Sequence, residues 1–421
     1  MDGASVVRVL GAAHSKEAYE IRDFLSRGVV EYEWSEIASN EACLRELGVA
    51  KFDEIDWPVV VFPDGSRLEA PSLADIAAKL GWVSRPRYQE YDLSIYGAGP
   101  AGLSAAVYAA SEGLRAVVIE RAAVGGQAGT SSLIENYMGF PQGIAGAELA
   151  ERARQQAVKF GVELLMMREG VHATFVNGKI EVNLADGTLL RASANICATG
   201  IEYRSLGIPD EQRLLNAGLY YGAGASEAPM CAGKRIFIVG GGNSAGQAAM
   251  NFARTAKCVT LIVRGESLAE TLSHYLLDRI AHTSNVRVVF ESSVSAIYGD
   301  TQLEALQIMN RSGGTQVVSA DRLFVCIGGA PNTEWAKDTT IVRDRNGYLV
   351  TGADLSDFPQ FGTCWPLERR PYFLETSIPG SFAAGDVRYG SVKRVASAVG
   401  EGAMAVTFVH RYLAESGDSG R

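Results

Sequence analysis

The sequence predicts an α/β fold with two dinucleotide-binding units, because one glycine-rich pattern occurs twice between an apolar run and a helical segment. The first copy, GAGPAG, spans 97–102 and follows an apolar strand predicted over 91–96. The second copy, GGGNSA, spans 240–245 and follows a strand predicted over 235–239. Each copy precedes a predicted helix and a further strand, which completes a strand–helix–strand unit of the Rossmann type.

The glycines of the first copy have separate predicted roles. Gly97 allows the tight turn, Gly99 lets a pyrophosphate approach the backbone, and Gly102 lets the helix pack on the strand. Glu120 ends the following strand, 18 positions beyond Gly102, which is close to the spacing of a ribose-binding carboxylate. The sequence therefore predicts a dinucleotide at the start of this helix.

The second copy differs at the end of its following strand, which reads Val263, Arg264 and Gly265 without an acid. An acid there would repel a 2′-phosphate, whereas an arginine can pair with it, so NADPH is favoured over NADH. The alternative is a surface arginine without a ligand. The predicted contacts of this second site are Gly240, Gly242, Asn243, Ser244, Ala245 and Arg264.

Composition excludes several classes of protein. The 421 residues carry a net charge of −9 and no long basic run, which argues against nucleic acid as a partner. No stretch of 18 uncharged apolar residues predicts a membrane span, and the N-terminus lacks the pattern of a signal peptide. The six cysteines show no CxxC spacing, which favours reduced thiols in a cytoplasmic protein, and no metal ligands are predicted.

Residues 1–86 form a separate predicted domain of alternating strands and helices, followed by a hairpin and a last helix that Ser72 caps. The predicted strands cover 6–10, 29–34 and 57–62, and the first two helices cover 16–26 and 41–47. This order resembles a thioredoxin- or glutaredoxin-like domain, in which Pro58 stands at the place of the family's cis-proline. The turn that carries CxxC in that family reads GAAHSK over 11–16. His14 is either a catalytic remnant or a solvated loop residue.

Residues 90–413 carry further motifs beside the first glycine pattern. These are GGQ at 125–127, IENY at 134–137, ATG at 198–200, GSFAAGDV at 380–387 and KRVA at 393–396. Together they resemble the low-molecular-weight, bacterial-type thioredoxin reductases. The resemblance implies an FAD-binding domain over 90–203 and 328–421, interrupted by an NAD(P)H-binding-type domain over 204–327, with hinges at 201–204 and 328–331.

The resemblance also implies a homodimer with FAD as cofactor, in which Asp386 bonds the ribityl chain and Lys393 to Val395 face the isoalloxazine. The implied FAD contacts are Gly97, Gly99, Pro100, Ala101, Gly102, Glu120, Arg121, Gly126, Gln127, Asn136, Ala198, Thr199, Gly200, Gly385, Asp386, Lys393, Arg394 and Val395.

The chain departs from that family before its second glycine pattern, where the family has a CxxC. One alignment places Gly222 and Ala225 at the cysteine positions, and another places Ala223 and Ser226 there. Neither pair contains sulfur, and a disulfide relay needs two thiols, so disulfide reductase activity is not expected.

Two nearby residues keep open alternatives. Under the second alignment Glu227 takes the place of the family's proton-donating aspartate, and a solvated carboxylate is the alternative. Cys231 is either a lone redox thiol or a packed core residue. The family's basic triplet HRR reads Val263, Arg264 and Gly265 here, which weakens the case for tight NADPH binding.

The leading hypothesis is an FAD-dependent oxidoreductase in which hydride passes from NAD(P)H to FAD and electrons leave to an unidentified small-molecule or protein acceptor. A second hypothesis places another dinucleotide, such as a second FAD, in the nicotinamide domain. A third is a non-enzymatic redox-sensing flavoprotein whose N-terminal domain is a docking surface.

Overall fold

The computed structural model describes residues 6–12, 15–37, 47, 55–83, 85–176, 178–223 and 227–417. The chain divides into two compact units. The first unit comprises Met1–Asp75, Thr130–Leu133 and Tyr203–Gly328, and the second comprises Ile76–Gly129, Ile134–Glu202 and Gly329–Arg421.

A four-stranded sheet organises the N-terminal part of the first unit. Its strands are β1 (Val7–Gly11), β2 (Tyr32–Glu36), β3 (Val59–Val61) and β4 (Arg67–Glu69), in the order β2-β1-β3-β4. β1 and β2 are parallel, whereas β3 is antiparallel to both β1 and β4. The Trp57–Pro58 peptide bond, which precedes β3, is cis.

Helix α1 (Lys16–Arg27) joins β1 to β2, and the side chain of Ser15 caps it by accepting a hydrogen bond from the Ala18 amide at 3.1 Å. Its apolar face is buried, as predicted. The helix stops at a left-handed Val29, whose φ is 53°, so β2 begins three residues later than predicted. Helix α2 (Leu73–Lys79) follows Ser72 and confirms the predicted cap. His14 and nearly all of the helix predicted over 41–47 lie outside the described residues.

The second unit contains a seven-stranded sheet with a parallel core. The strands are β5 (Glu90–Tyr96), β6 (Ala116–Glu120), β7 (Glu163–Met166), β8 (Gly170–Val176), β9 (Lys179–Leu184), β10 (Leu189–Cys197) and β21 (Ser381–Ala383). The order is β7-β6-β5-β10-β9-β8, with β21 also pairing with β10. Its long helices are α3 (Pro100–Ser111), α4 (Gly146–Lys159) and α9 (Val395–Ser416).

The C-terminal helix α9 packs closely on α3. Gly402 of α9 permits this approach, since a Cβ atom there would overlap the carbonyl oxygen of Ala101. The C-terminal part of the chain thus reaches the first glycine pattern. Near this region the short helix α8 (Phe361–Cys364) lies between β20 (Gly329–Pro331) and β21.

The remainder of the first unit is a second parallel sheet. Its order is β12 (Leu219–Tyr221), β19 (Arg322–Val325), β13 (Arg235–Val239), β14 (Cys258–Ile262) and β15 (Val286–Val289). Helices α6 (Asn243–Ala253) and α7 (His274–Ala281) accompany it. An antiparallel sheet of β16 (Ser292–Tyr298), β17 (Ala305–Asn310) and β18 (Thr315–Ser319) follows. The short helix α5 (Glu211–Leu214) precedes β12. The short strand β11 (Ile201–Tyr203), which begins in the second unit, pairs there with β20.

These two parallel sheets confirm the predicted α/β fold with Rossmann-like units. The thioredoxin-like assignment of residues 1–86 and the predicted domain boundaries stay predictions. Among the described residues, no helix has the length and apolarity needed to cross a membrane.

Candidate functional site

The first glycine pattern forms the turn from β5 to α3, as predicted. Gly97 has φ 102°, and a Cβ atom there would overlap the Ala198 carbonyl oxygen. A Cβ atom on Gly102 would overlap the carbonyl oxygen of Gly97. Gly99 differs, because a Cβ atom there would meet nothing within 4 Å. Packing within the protein therefore requires glycine at 97 and 102. Gly99 instead leaves open space before the N-terminus of α3, which is the space that a bound pyrophosphate would need.

Glu120 fastens this loop from the end of β6. Its side chain is buried, and its two carboxylate oxygens accept hydrogen bonds from the amides of Ala98 and Ala122, both at 2.8 Å. Each oxygen keeps a further lone pair for a ribose hydroxyl. The neighbouring Arg121 is half exposed and pairs with Glu202 at 2.5 Å, so a nucleotide would have to compete for it.

The GGQ motif lies directly beside the same loop. The Gly125 amide donates to the Ala98 carbonyl at 2.8 Å, and a Cβ atom on Gly126 would lie 3.3 Å from the Cα of Gly99. The Gln127 amide group donates to the Ile201 carbonyl at 2.8 Å. Asn136, in contrast, is exposed in a later loop.

The ATG motif joins the end of β10 to the segment after β20. The Ala198 amide donates to Tyr96 at 2.8 Å, and the Thr199 hydroxyl donates to the Asn332 carbonyl at 2.9 Å. Gly200 has φ 64°, a left-handed conformation that favours glycine. These residues shape the wall behind Gly97.

The GDV motif reaches the first glycine loop from the other end of the chain. Gly385 has φ 78°, and a Cβ atom there would lie 2.9 Å from the Cβ of Ala101. The Gly385 amide donates to Glu401 at 2.7 Å. Burial raises the pKa of Asp386. The two predicted FAD motifs are therefore adjacent, although some 280 residues separate them in the chain.

The start of α9 carries the remaining predicted contacts. The Lys393 ammonium donates to the backbone carbonyl of Asp386 at 2.6 Å and lies 4.3 Å from the Tyr348 ring centroid. Arg394 is exposed and Val395 is half-buried. Lys393 is thus tied to the GDV motif by its own hydrogen bond.

The second glycine pattern repeats the geometry of the first. Gly240 has φ 143°, and a Cβ atom there would overlap the Cys326 carbonyl oxygen. Gly242, like Gly99, has open space around a built Cβ. Ala245 is fully buried in the place of the third glycine. Asn243 accepts a hydrogen bond from the Ser273 amide at 2.7 Å, while the neighbouring Ser244 is exposed. This loop fits a pyrophosphate by the same criterion.

Val263 occupies, after the second glycine pattern, the position that Glu120 has after the first. The Gly97 amide bonds Ile119 at 2.9 Å and the Gly240 amide bonds Ile262 at 3.0 Å, so the next residues correspond. Val263 is buried, with Cγ1 3.1 Å from a built Cβ on Gly241. The second site therefore lacks the ribose-binding acid, as predicted. Arg264 is exposed and corresponds to Arg121 rather than to Glu120.

The segment before the second pattern holds Gly222, whose φ is 78°. A Cβ atom there would lie 2.5 Å from the Tyr203 hydroxyl, so a larger side chain at this position meets the tyrosine. Gly224, Ala225 and Ser226 lie outside the described residues. A cysteine at 222 would require the Tyr203 side chain to move and would have to adopt a left-handed backbone conformation.

Three cysteines elsewhere in the described chain have thiols with raised pKa values. Burial raises the pKa of Cys231 and of Cys326 to about 12, and that of Cys197 to about 11. Cys231 is completely inaccessible. This favours the packed alternative for Cys231 over a redox thiol, since thiolates are the reactive form.

Glu227 is buried, which contradicts the alternative of a solvated carboxylate. It accepts a hydrogen bond from the hydroxyl of Tyr19 on α1, whose ring also lies 5.1 Å from that of Tyr220. Burial, and then the charge of Glu227, raise the pKa of Tyr19 well above its usual value. The tyrosine therefore remains a donor at neutral pH.

Three contributing residues were not predicted from the sequence. Tyr203 fills the space beside Gly222, Tyr19 bonds Glu227, and Glu401 holds the Gly385 amide while pairing with Arg388 at 2.7 Å. No sequence motif marks Tyr19 on α1. Each of the three contacts also joins residues that are far apart or unrelated by any motif in the sequence. Only tertiary structure reveals them.

The fold and the two glycine loops define a dinucleotide-dependent oxidoreductase. A family model for pyridine nucleotide-disulphide oxidoreductases matches residues 91–402, and the chain belongs to this family. The chain is similar to a thioredoxin reductase of Treponema pallidum (strain Nichols), with 32% identity over 327 residues that cover 77% of this chain and 97% of the relative.

Two further similarities agree. A bifunctional thioredoxin reductase/thioredoxin of Mycobacterium leprae (strain TN) is 34% identical over 334 residues, 78% of this chain and 67% of that protein. The crystal structure of T. acidophilum thioredoxin reductase superposes with a TM-score of 0.69 at 28% identity, covering 78% of this chain and 100% of that one. The resemblance drawn from the motifs is thereby confirmed at the level of the family.

Proposed function

We propose that this protein is an FAD-dependent NAD(P)H oxidoreductase that performs no dithiol–disulfide exchange of its own. Overall, NAD(P)H, a proton and an oxidised acceptor yield NAD(P)⁺ and the acceptor reduced by two electrons. The bound flavin supplies the chemistry of accepting hydride and releasing electrons. The observation that carries the proposal is that neither alignment of the segment before the second glycine pattern, Gly222 with Ala225 or Ala223 with Ser226, puts a cysteine at the family's CxxC positions.

Residues around the first glycine loop would bind FAD, and residues around the second would bind NAD(P)H. The FAD site is built from the open turn at Gly99, the carboxylate of Glu120 and the adjoining GDV motif at Gly385. The NAD(P)H site is built from Gly242 and the end of β14, with NADPH preferred because Val263 replaces the acid.

The absence of a thiol relay has independent support. Cys231, the cysteine that follows this segment, is buried and has a raised pKa. A buried, protonated thiol is a poor nucleophile. The acceptor is accordingly a small molecule or protein reduced by electrons from the flavin.

Steady-state assays test this function. NADPH oxidation is followed with oxygen, with a quinone and with an aromatic disulfide, using the holoprotein and Cys231→Ala. We expect turnover with at least one non-disulfide acceptor and equal rates for both proteins. Disulfide turnover that Cys231→Ala abolishes would overturn the proposal.

A docking role for the N-terminal domain is the second candidate, and the contact of Tyr19 and Glu227 favours it. We propose that residues 1–86 are thioredoxin-like, supported by the strand order β2-β1-β3-β4 and the parallel first pair. If the protein binds FAD but neither NADPH nor NADH bleaches the flavin, the result would support docking over catalysis. If two flavins are found per chain, the result would favour a second FAD in the nicotinamide domain.

We also propose the homodimer and the cytoplasmic location that were predicted. Light scattering of the purified holoprotein measures the mass, and a monomer at micromolar concentration would refute the dimer.

A further inference from the structure

A cluster of exposed charges at the carboxyl edge of the second parallel sheet is not used by the function proposed above. The Arg311 Nη1 atom lies 2.9 Å from Glu266 Oε1 and 3.1 Å from Glu291 Oε1. Arg264 precedes Glu266 by two residues at the end of β14 and is itself exposed. Arg311 and two carboxylates therefore lie together beside the segment that follows Val263, and Arg264 belongs to that segment.

The backbone fixes Arg311 at this edge. The Ser292 amide donates to the Val263 carbonyl at 3.0 Å, and the Glu291 amide donates to the Gly265 carbonyl at 3.1 Å. The Arg311 amide in turn donates to the Glu291 carbonyl at 2.8 Å. The turn between β17 and β18 is thus fastened, through one intervening residue, to the segment that follows β14.

This segment is where the nucleotide ribose is expected. In a strand–helix–strand unit the pyrophosphate lies at the helix N-terminus and the adenosine ribose lies beyond the end of the second strand. Glu120 provides the acid there after the first glycine pattern, whereas Val263 provides an apolar side chain after the second. A group on the ribose 2′ position would face the residues just after Val263, which are Arg264 and the cluster around Arg311.

We propose that Arg311 is a second specificity-determining residue for the 2′-phosphate of the nucleotide, which it reads together with Arg264. This inference rests on the proposed use of NADPH. Glu266 and Glu291 hold the guanidinium in place when no phosphate competes for it. A planar guanidinium can bind two phosphate oxygens at once, and it exchanges one anionic partner for another. Gly265 stands where the related enzymes have a second arginine. Arg311, in the turn between β17 and β18, thereby supplies the cation that is missing at that position.

Binding of small nucleotides to the full-length, flavin-loaded protein tests the role without any hydride transfer. The probes are adenosine 2′,5′-bisphosphate and 5′-AMP, which differ in the 2′-phosphate alone, measured by isothermal titration calorimetry. Arg311→Ala should weaken the bisphosphate about three- to tenfold and leave 5′-AMP unchanged. Glu266→Gln should tighten the bisphosphate, because the phosphate then meets one carboxylate fewer. Arg287→Ala, an exposed arginine within β15, serves as the control and should change neither.

The outcomes separate this inference from the proposed function. Equal weakening of both probes by Arg311→Ala, or no weakening of the bisphosphate, would overturn the role of Arg311. So would failure of the unaltered protein to distinguish the two probes. Whether NADPH or NADH bleaches the flavin is measured separately, and a protein that is bleached while Arg311→Ala binds normally refutes the inference and retains the proposed function.

Discussion

The glycines of the two nucleotide loops are of two kinds: some are required for the loop to fold, and others leave space for a ligand. Gly97 and Gly102 lie where a Cβ atom would overlap a backbone carbonyl, whereas Gly99 and Gly242 face open space. The first kind is needed for the protein to close its own turn. The second kind is needed for a ligand to approach. Mutation should therefore have different consequences at the two kinds of position.

Gly102→Ala should reduce the stability of the protein by about 1–3 kcal/mol or more, because the new methyl group has no room beside Gly97. Gly99→Ala should leave the fold intact, since Gly99 has φ −73°, and should lower the flavin content. Thermal unfolding of the apoprotein and the flavin-to-protein absorbance ratio distinguish the two. A stable Gly102→Ala protein with full flavin would contradict the geometry.

Asp386 gives a pH dependence to flavin binding. Burial raises its pKa, so the carboxylate takes up a proton at a higher pH than an ordinary aspartate does. In the proposed FAD site an ionised Asp386 would accept a hydrogen bond from a ribityl hydroxyl, and this acceptor would be lost as the pH falls through the raised pKa. Flavin release on acidification should therefore begin above the usual range of aspartate.

The matched variant for this pH dependence is Asp386→Asn, which keeps the side chain's shape and cannot titrate. It should bind FAD less tightly near pH 7 and lose the acid-dependent step, with circular dichroism confirming that the fold persists. Identical release profiles for Asp386→Asn and the unaltered protein would show that another group controls release.

At the scale of single residues, the sequence predicts the turn glycines and Glu120 because local chain geometry and ligand chemistry impose them. It does not predict that Glu227 is buried, because burial depends on α1, some 200 residues away. The sequence shows that the triplet around Arg264 contains no acid, and the hydrogen bonds of Gly97 and Gly240 then identify Val263 as the residue in the place of Glu120.

Helix α1 is the element that joins the N-terminal sheet to the second parallel sheet of the same unit. Besides the bond from Tyr19 to Glu227, the Arg22 guanidinium lies 3.5 Å from Met230 Sδ and the Asn216 amide donates to Glu20 at 3.2 Å. One face of the helix is therefore buried in its own domain and a neighbouring face contacts the nucleotide domain. Periodicity predicts the first face only, because the second carries polar side chains.

Tyr19→Phe should destabilise this contact by about 1–2 kcal/mol, because Glu227 stays buried with one donor fewer. Hydrogen–deuterium exchange over 227–231 should rise. Tyr32→Phe is the control, since it removes a tyrosine hydroxyl that contacts Ser26 at 3.2 Å inside the N-terminal part. Equal exchange in both variants would show that the Tyr19 bond does not fasten α1.

At the scale of the whole molecule, the chain returns to its first glycine loop through β21, the GDV motif and α9. Gly385 and Gly402 make this return tight, since both meet Ala101 if a Cβ is added. The fold class and the two loops could be predicted because each loop is a local pattern. The sequence describes residues 1–86 only by the order of their elements, since they lack the CxxC that marks thioredoxin-like domains.

The central claim is that the flavin is the protein's sole redox centre, and an anaerobic reductive titration tests it most directly. The holoprotein is titrated with NADPH and the flavin absorbance is followed to completion. A flavin alone takes up two electrons, so about one equivalent of NADPH per chain should bleach it, and thiol titration should show no new thiols. Uptake of about two equivalents, with the appearance of two thiols per chain, would demonstrate a redox-active disulfide and contradict the account.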